Sequence, residues 1–236
     1  MSDAPKDESP PAAIARLKER VTQMADLSIT MVADGTRALL TSDTALAESV
    51  ISRDAPLDRF DVDIEAEVIR LMAITQPEGP DLRTLGATLK IANCIDRVGR
   101  LGYDLARNLS QGPEAADREH QELLRRMDAR ARAMVAQAVH AFVRGDAAEA
   151  KRVFALDDEV DALYTEVQGR LIGLLQQGGL PVERLAHEIL AARHLERVGD
   201  NACKIAEKAI YAITGERRTE YFPALSHRTP GGRVIP

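Results

Sequence analysis

The stretch "LERVGDNACKIAE", Leu195 to Glu207, reads as helix but holds Glu196 and Asp200 one turn apart with Gly199 between them. Like charges at i and i+4 weaken a helix by roughly 0.2–0.5 kcal/mol, and a mid-helix glycine by about 0.5–1 kcal/mol. A second acidic pair, Asp157 and Asp161, stands in "DDEVD". Residues four apart lie about 40° apart around a helix, so each pair shares a face with Cβ atoms about 5–6 Å apart. Carboxylates gathered this way repel one another in water but suit a hard cation such as Mg, Ca, Mn or iron. A missing side chain at Gly199 would let a neighbouring helix or a metal cluster approach them.

That chemistry requires two helices side by side at one height. From Asp161 to the turn near Gln177–Gly179 is about 17 residues, and a similar stretch leads on to Glu196 and Asp200. Antiparallel neighbours would therefore bring the four carboxylates onto one patch. Apolar spacing and punctuation predict six helices. They run from Pro11 to Leu40, from Thr44 to Ile74 before "QPEGPD", and from near Asp81 to "SQGP". The fourth ends at Val143, the fifth at "QQGGLP", and the sixth runs from near Pro181 to Thr214. "RGD" at Arg144 to Asp146 reads as a helix break with an N-cap aspartate.

The six helices are two copies of three. Shifting the numbering by 103 places Met24 on Met127, Asp43 on Asp146, Asp54 on Asp157 and Asp58 on Asp161. A shift of 100 places Arg97, Val98 and Gly99 on Arg197, Val198 and Gly199. The expected fold is all-α, two tandem three-helix bundles related by an internal repeat. The boundaries are a disordered N-terminus at 1–10, a first repeat at 11–111, a second at 112–214 and a flexible tail at 215–236.

Composition supports this and excludes other classes. Hydrophobic residues make up 45% of the 236 and aromatics only 3%, so the core must be aliphatic. A net charge of −6 without a basic block argues against nucleic acid as a partner. No apolar run is long enough to span a bilayer, and the polar, proline-rich start is unlike a signal peptide. Cys94 and Cys203 belong to no CxxC and read as reduced core thiols of a soluble cytoplasmic protein. None of His120, His140, His187, His194 or His227 completes a Glu-x-x-His, which removes a ferritin-like di-iron centre. His194 reads as a packed or rim histidine. Glycine-rich phosphate loops, GxSxG and cysteine–histidine signatures are missing, leaving a metal-dependent helical phosphohydrolase as the one enzymatic alternative.

Paired "IDRVG" and "LERVGD" helices, each preceded by an Asp-x-x-apolar-Asp helix, resemble the PhoU family of phosphate-signalling proteins. The junction Gln76 to Arg83 matches that family's turn, and the resemblance spans about residues 14 to 214. It implies a cytoplasmic homodimer that binds metal ions, multinuclear iron or else Mn, Mg or Zn, at acidic motifs. It also implies a non-enzymatic negative regulator of phosphate uptake and phosphate-starvation signalling. Such a regulator acts as an adaptor between the phosphate ABC transporter ATPase (PstB-like) and a sensor histidine kinase (PhoR-like). Carried over by position, the metal ligands are Asp157, Asp161, Glu196 and Asp200 in the second repeat. Their first-repeat counterparts are Asp54, Asp58 and Asp96, but Arg100 stands where a further acid is expected and Pro56 interrupts the Asp54/Asp58 pair. Either Asp104 and Asp61 move that site along the bundle, or Arg100 replaces the metal with salt bridges to Asp96 and Asp104. The second reading is preferred.

Overall fold

The computed structural model describes residues 9–109, 118–177 and 182–216. Among them the chain forms seven α-helices and no strand: α1 (Pro10–Thr41), α2 (Thr44–Ile51), α3 (Asp54–Thr75), α4 (Gly79–Arg107), α5 (Arg118–Arg144), α6 (Ala147–Gln176) and α7 (Val182–Thr214). No helix among these residues is long and apolar enough to cross a membrane. The expected disordered start and flexible tail fall mostly outside the described residues, as does the junction at 111/112. Pro10, expected in the disordered start, already opens α1.

Local chemistry explains most of the boundaries. α1 begins with prolines in its first turn, where a missing N–H is harmless, and stops at Ser42 in the left-handed region. Asp43 caps α2 by accepting from the Leu46 N–H, and its repeat partner Asp146 caps α6 by accepting from the Glu149 N–H. The "RGD" turn is thus a helix break, with Gly145 at φ +72°. Gln76 and Gly79, both at positive φ, turn the chain between α3 and α4.

One expectation fails. The predicted single helix from Thr44 to Ile74 is broken at Ser52–Arg53 into α2 and α3. Pro56 is the reason, because inside a continuous helix it would lack the hydrogen bond to the Ser52 carbonyl and clash with it. Restarting at Asp54 places Pro56 in a first turn, where it is tolerated. The corresponding residue in the second repeat is Glu159, and α6 runs unbroken.

Two three-helix bundles are present, but they share one aliphatic core. α1 packs on α5 and α4 on α7, so these four helices form the centre, with α2, α3 and α6 outside. Met24, Met31, Leu105, Met127, Met134 and Phe142 fill that core. Polar ties cross between the repeats: Thr36 Oγ1 donates to Asp128 (3.2 Å), and Asn108 Nδ2 donates to the His187 carbonyl (2.7 Å). Cys94 and Cys203 are free, buried thiols.

Within the first repeat α1 and α4 meet backbone to backbone. A Cβ on Gly102 would lie 2.6 Å from the Val32 nitrogen, and Gly35 faces the Gly102 carbonyl. Helix propensity favours alanine over glycine by about 0.5–1 kcal/mol, but this overlap involves backbone that cannot yield. Gly102→Ala is therefore expected to destabilise the fold by about 1–3 kcal/mol, the range for overpacking. Chemical denaturation would read this directly, and an unchanged or raised midpoint would refute the packing argument.

Candidate metal centre

The second repeat brings its four predicted acids together. Asp157 and Asp161 stand one turn apart on α6, and Glu196 and Asp200 stand one turn apart on the adjacent α7. Burial pushes the Asp157 carboxyl up to about 6, helped by the charges of Asp161 and Asp200. Burial likewise pushes Glu196 up to about 7, with Asp200, Asp161 and Asp157 adding to the shift and Arg193 opposing it. Each shift records the same fact, that acids on two helices crowd one partly dry groove.

Gly199 explains how the helices come this close. A Cβ there would lie 3.2 Å from Asp157 Oδ1, so the bare Cα makes room for that carboxylate. Glu196 accepts from Arg193 one turn away, yet its second oxygen, Oε2, is buried without a hydrogen-bond partner. Such an orphaned oxygen is unfavourable in a metal-free protein. The Cys203 thiol donates to Asp157, and burial and the neighbouring carboxylates push its own pKa up. Sequence reading took Cys203 for a plain core thiol. Its position three residues after Asp200, on the same face, was the available signal.

An all-oxygen donor set with an orphaned carboxylate oxygen fits a hard cation. Among the described residues no three His, Cys, Asp or Glu side chains are already gathered as a ligand set. The residues that would hold an ion are Asp157, Asp161, Glu196 and Asp200, and a bound cation would add positive charge to that of Arg193 on Glu196.

The first repeat is arranged differently. Arg100 reaches Asp58 Oδ1 at 2.6 Å, Asp96 Oδ2 at 3.0 Å and Asp54 Oδ1 at 3.4 Å. The expected bridge to Asp96 is present, but the second expected partner, Asp104, is not among these contacts. Asp104 lies one turn further along α4, where its charge acts on His194 instead. The acids across the groove on α3 are closer to the guanidinium. Asp61 borders the same groove, its carboxyl raised by partial burial and then by Asp96, Glu65 and Asp58. His194 is half-buried, its pKa lowered chiefly by burial, as a packed histidine should be.

The raised carboxyls imply a pH dependence with a definite sign. In the metal-free protein Asp157 and Glu196 hold protons more tightly folded than unfolded. Their contribution to stability is present below the ordinary carboxylate range and is lost as pH rises through about 6 and about 7. In chelator, the melting temperature should fall between about pH 5 and about pH 8, and Glu196→Gln should flatten that fall. A slope as steep as the wild type's in both Glu196→Gln and Asp157→Asn would show that these groups do not carry it.

The chain as a whole is similar to known proteins. The family model described as "PhoU domain" matches twice, over residues 21–109 and 124–209. A protein of Rhizobium meliloti is 31% identical over 200 residues, covering 84% of each chain. One of Aquifex aeolicus is 34% identical over 199 residues, covering 84% of this chain and 90% of its own. Both bear the name phosphate-specific transport system accessory protein PhoU homolog. The crystal structure of PhoU from Pseudomonas aeruginosa superposes with a TM-score of 0.80 at 28% identity, covering 88% of this chain and all of that one. The phosphate transport system regulatory protein PhoU of Streptococcus pneumoniae shares the fold at a TM-score of 0.82 and 23% identity, covering 89% of this chain and 99% of its own. With both repeats matched and relatives of this similarity over most of its length, the chain belongs to the PhoU family.

Proposed function

We propose that this chain is an accessory regulator of phosphate transport whose second repeat binds a metal ion through Asp157, Asp161, Glu196 and Asp200. The ion is iron, in a multinuclear cluster, or Mn, Mg or Zn. In this reading the protein is a cytoplasmic homodimer that restrains phosphate uptake and the starvation response. It does so as an adaptor between the ATPase of a phosphate ABC transporter and a sensor histidine kinase. The observation that carries the metal assignment is the crowding of four acids in one groove, with Glu196 Oε2 buried and unpartnered. The regulatory assignment is supported by the names of the relatives.

A metal-dependent phosphohydrolase would use the same carboxylates. Burial and Asp157 raise the Cys203 pKa, the reverse of activation, so a thiolate nucleophile is disfavoured there and such an enzyme would have to rely on water or a carboxylate. The relatives' names point to accessory proteins rather than enzymes.

Elemental analysis of protein purified without chelator or affinity-tag metal should find metal in the wild type and lose it in Asp161→Ala/Asp200→Ala. Wild-type protein that stays metal-free after anaerobic reconstitution with iron or manganese would remove the metal assignment. Affinity capture from phosphate-replete cells should recover the transporter ATPase or the kinase. If neither appears, and deletion leaves phosphate uptake unchanged, the adaptor role fails.

A further inference from the structure

The two grooves follow one repeated pattern but differ in charge at the place where a second acid follows the Asp96 and Glu196 positions. Arg100 occupies in α4 the place that Asp200 occupies in α7. Its guanidinium uses three nitrogens on three carboxylates from two helices: Nη2 on Asp58, Nε on Asp96 and Nη1 on Asp54. Those acids are the repeat counterparts of Asp161, Glu196 and Asp157. We propose that Arg100 is a resident cation that takes the metal's place, closing the first groove to divalent ions and confining metal binding to the second repeat.

Three physical points support this. Arginine is always charged, and its planar fork engages three carboxylates at once, so much of the first groove's negative charge is compensated without any ion, although Asp96 Oδ1, like Glu196 Oε2, is buried without a hydrogen-bond partner. A divalent cation entering there would have to displace an internal group or sit beside a like charge. The glycine neighbours differ as well. Gly199 lies against the carboxylate of Asp157, whereas a Cβ on Gly99 would meet the Leu57 side chain and the Ser28 hydroxyl. The space beside Gly99 is thus lined by Leu57, while Asp54 engages Arg100.

From the proposed function this inference takes only the premise that such carboxylate grooves accept a hard cation. Its test is therefore made with the second groove disabled. Asp161→Ala/Asp200→Ala protein and the same protein with Arg100→Asp are dialysed against Mn²⁺, gel-filtered and analysed for manganese. Thermal melts are recorded in chelator and in excess Mn²⁺. The double variant should hold no manganese. Adding Arg100→Asp should produce uptake in the first groove, with a melting temperature that drops in chelator and recovers with Mn²⁺. A folded triple variant that takes up none overturns the proposal, as does manganese in the double variant with Arg100 intact.

Should Arg100→Asp fail to fold, the reciprocal change Asp200→Arg in otherwise wild-type protein decides. It should abolish manganese uptake while keeping the chelator melting temperature at or above that of the wild type. Retained uptake, or a clearly lower melting temperature in chelator, would overturn the idea that a guanidinium can serve this groove. Wild-type protein without manganese would count against the second-repeat assignment and leave the Arg100→Asp comparison standing.

Discussion

Close packing of an aliphatic core around four central helices is the constraint on which the other features depend. With aromatics at 3% of the chain, few bulky side chains are available to fill gaps, and the helices must approach closely. Gly35 and Gly102 allow that approach between α1 and α4. Because α1, α4, α5 and α7 form one shared centre, α3 and α6 are left to lie in outer grooves. Acids lining those grooves cannot move away from one another without opening the core.

Charge in the grooves is therefore a property of the packing. Asp96 and Glu196, at matching places in the two repeats, are each 14% exposed, too dry for solvent alone to screen them. The molecule meets the same electrostatic problem in two ways. In the first repeat a guanidinium from the same chain lies among the carboxylates. In the second, burial and then the neighbouring carboxylates raise the pKa values of Asp157 and Glu196, so these groups hold their protons more tightly. Where the first repeat carries Arg100, the second carries Asp200.

Much of this was legible in the sequence because it depends on periodicity and on local chemistry. The repeat, the all-helical fold, the capping aspartates at 43 and 146 and the matched heights of Asp157/Asp161 with Glu196/Asp200 follow from spacing along rigid helices. Side chains one turn apart must share a face, and helices joined by short turns must run antiparallel. Pro56 also announced a disturbance in the second helix, since its ring fixes φ and removes a donor in any context.

What only the tertiary structure decided was which partners meet across helices. Arg100 could be paired from sequence with Asp96, one turn back, and by the same rule with Asp104. The rotation of α3 against α4 instead gave it Asp54 and Asp58. The merging of two bundles into one core, the hydrogen bond from Cys203 to Asp157 and the burial of Glu196 Oε2 are likewise matters of packing. Spacing along one helix is set by its geometry, so the sequence by itself determined the helices, their duplication and the acids on each face. The angle at which two helices cross depends on every side chain between them, and that decided which charges stand together.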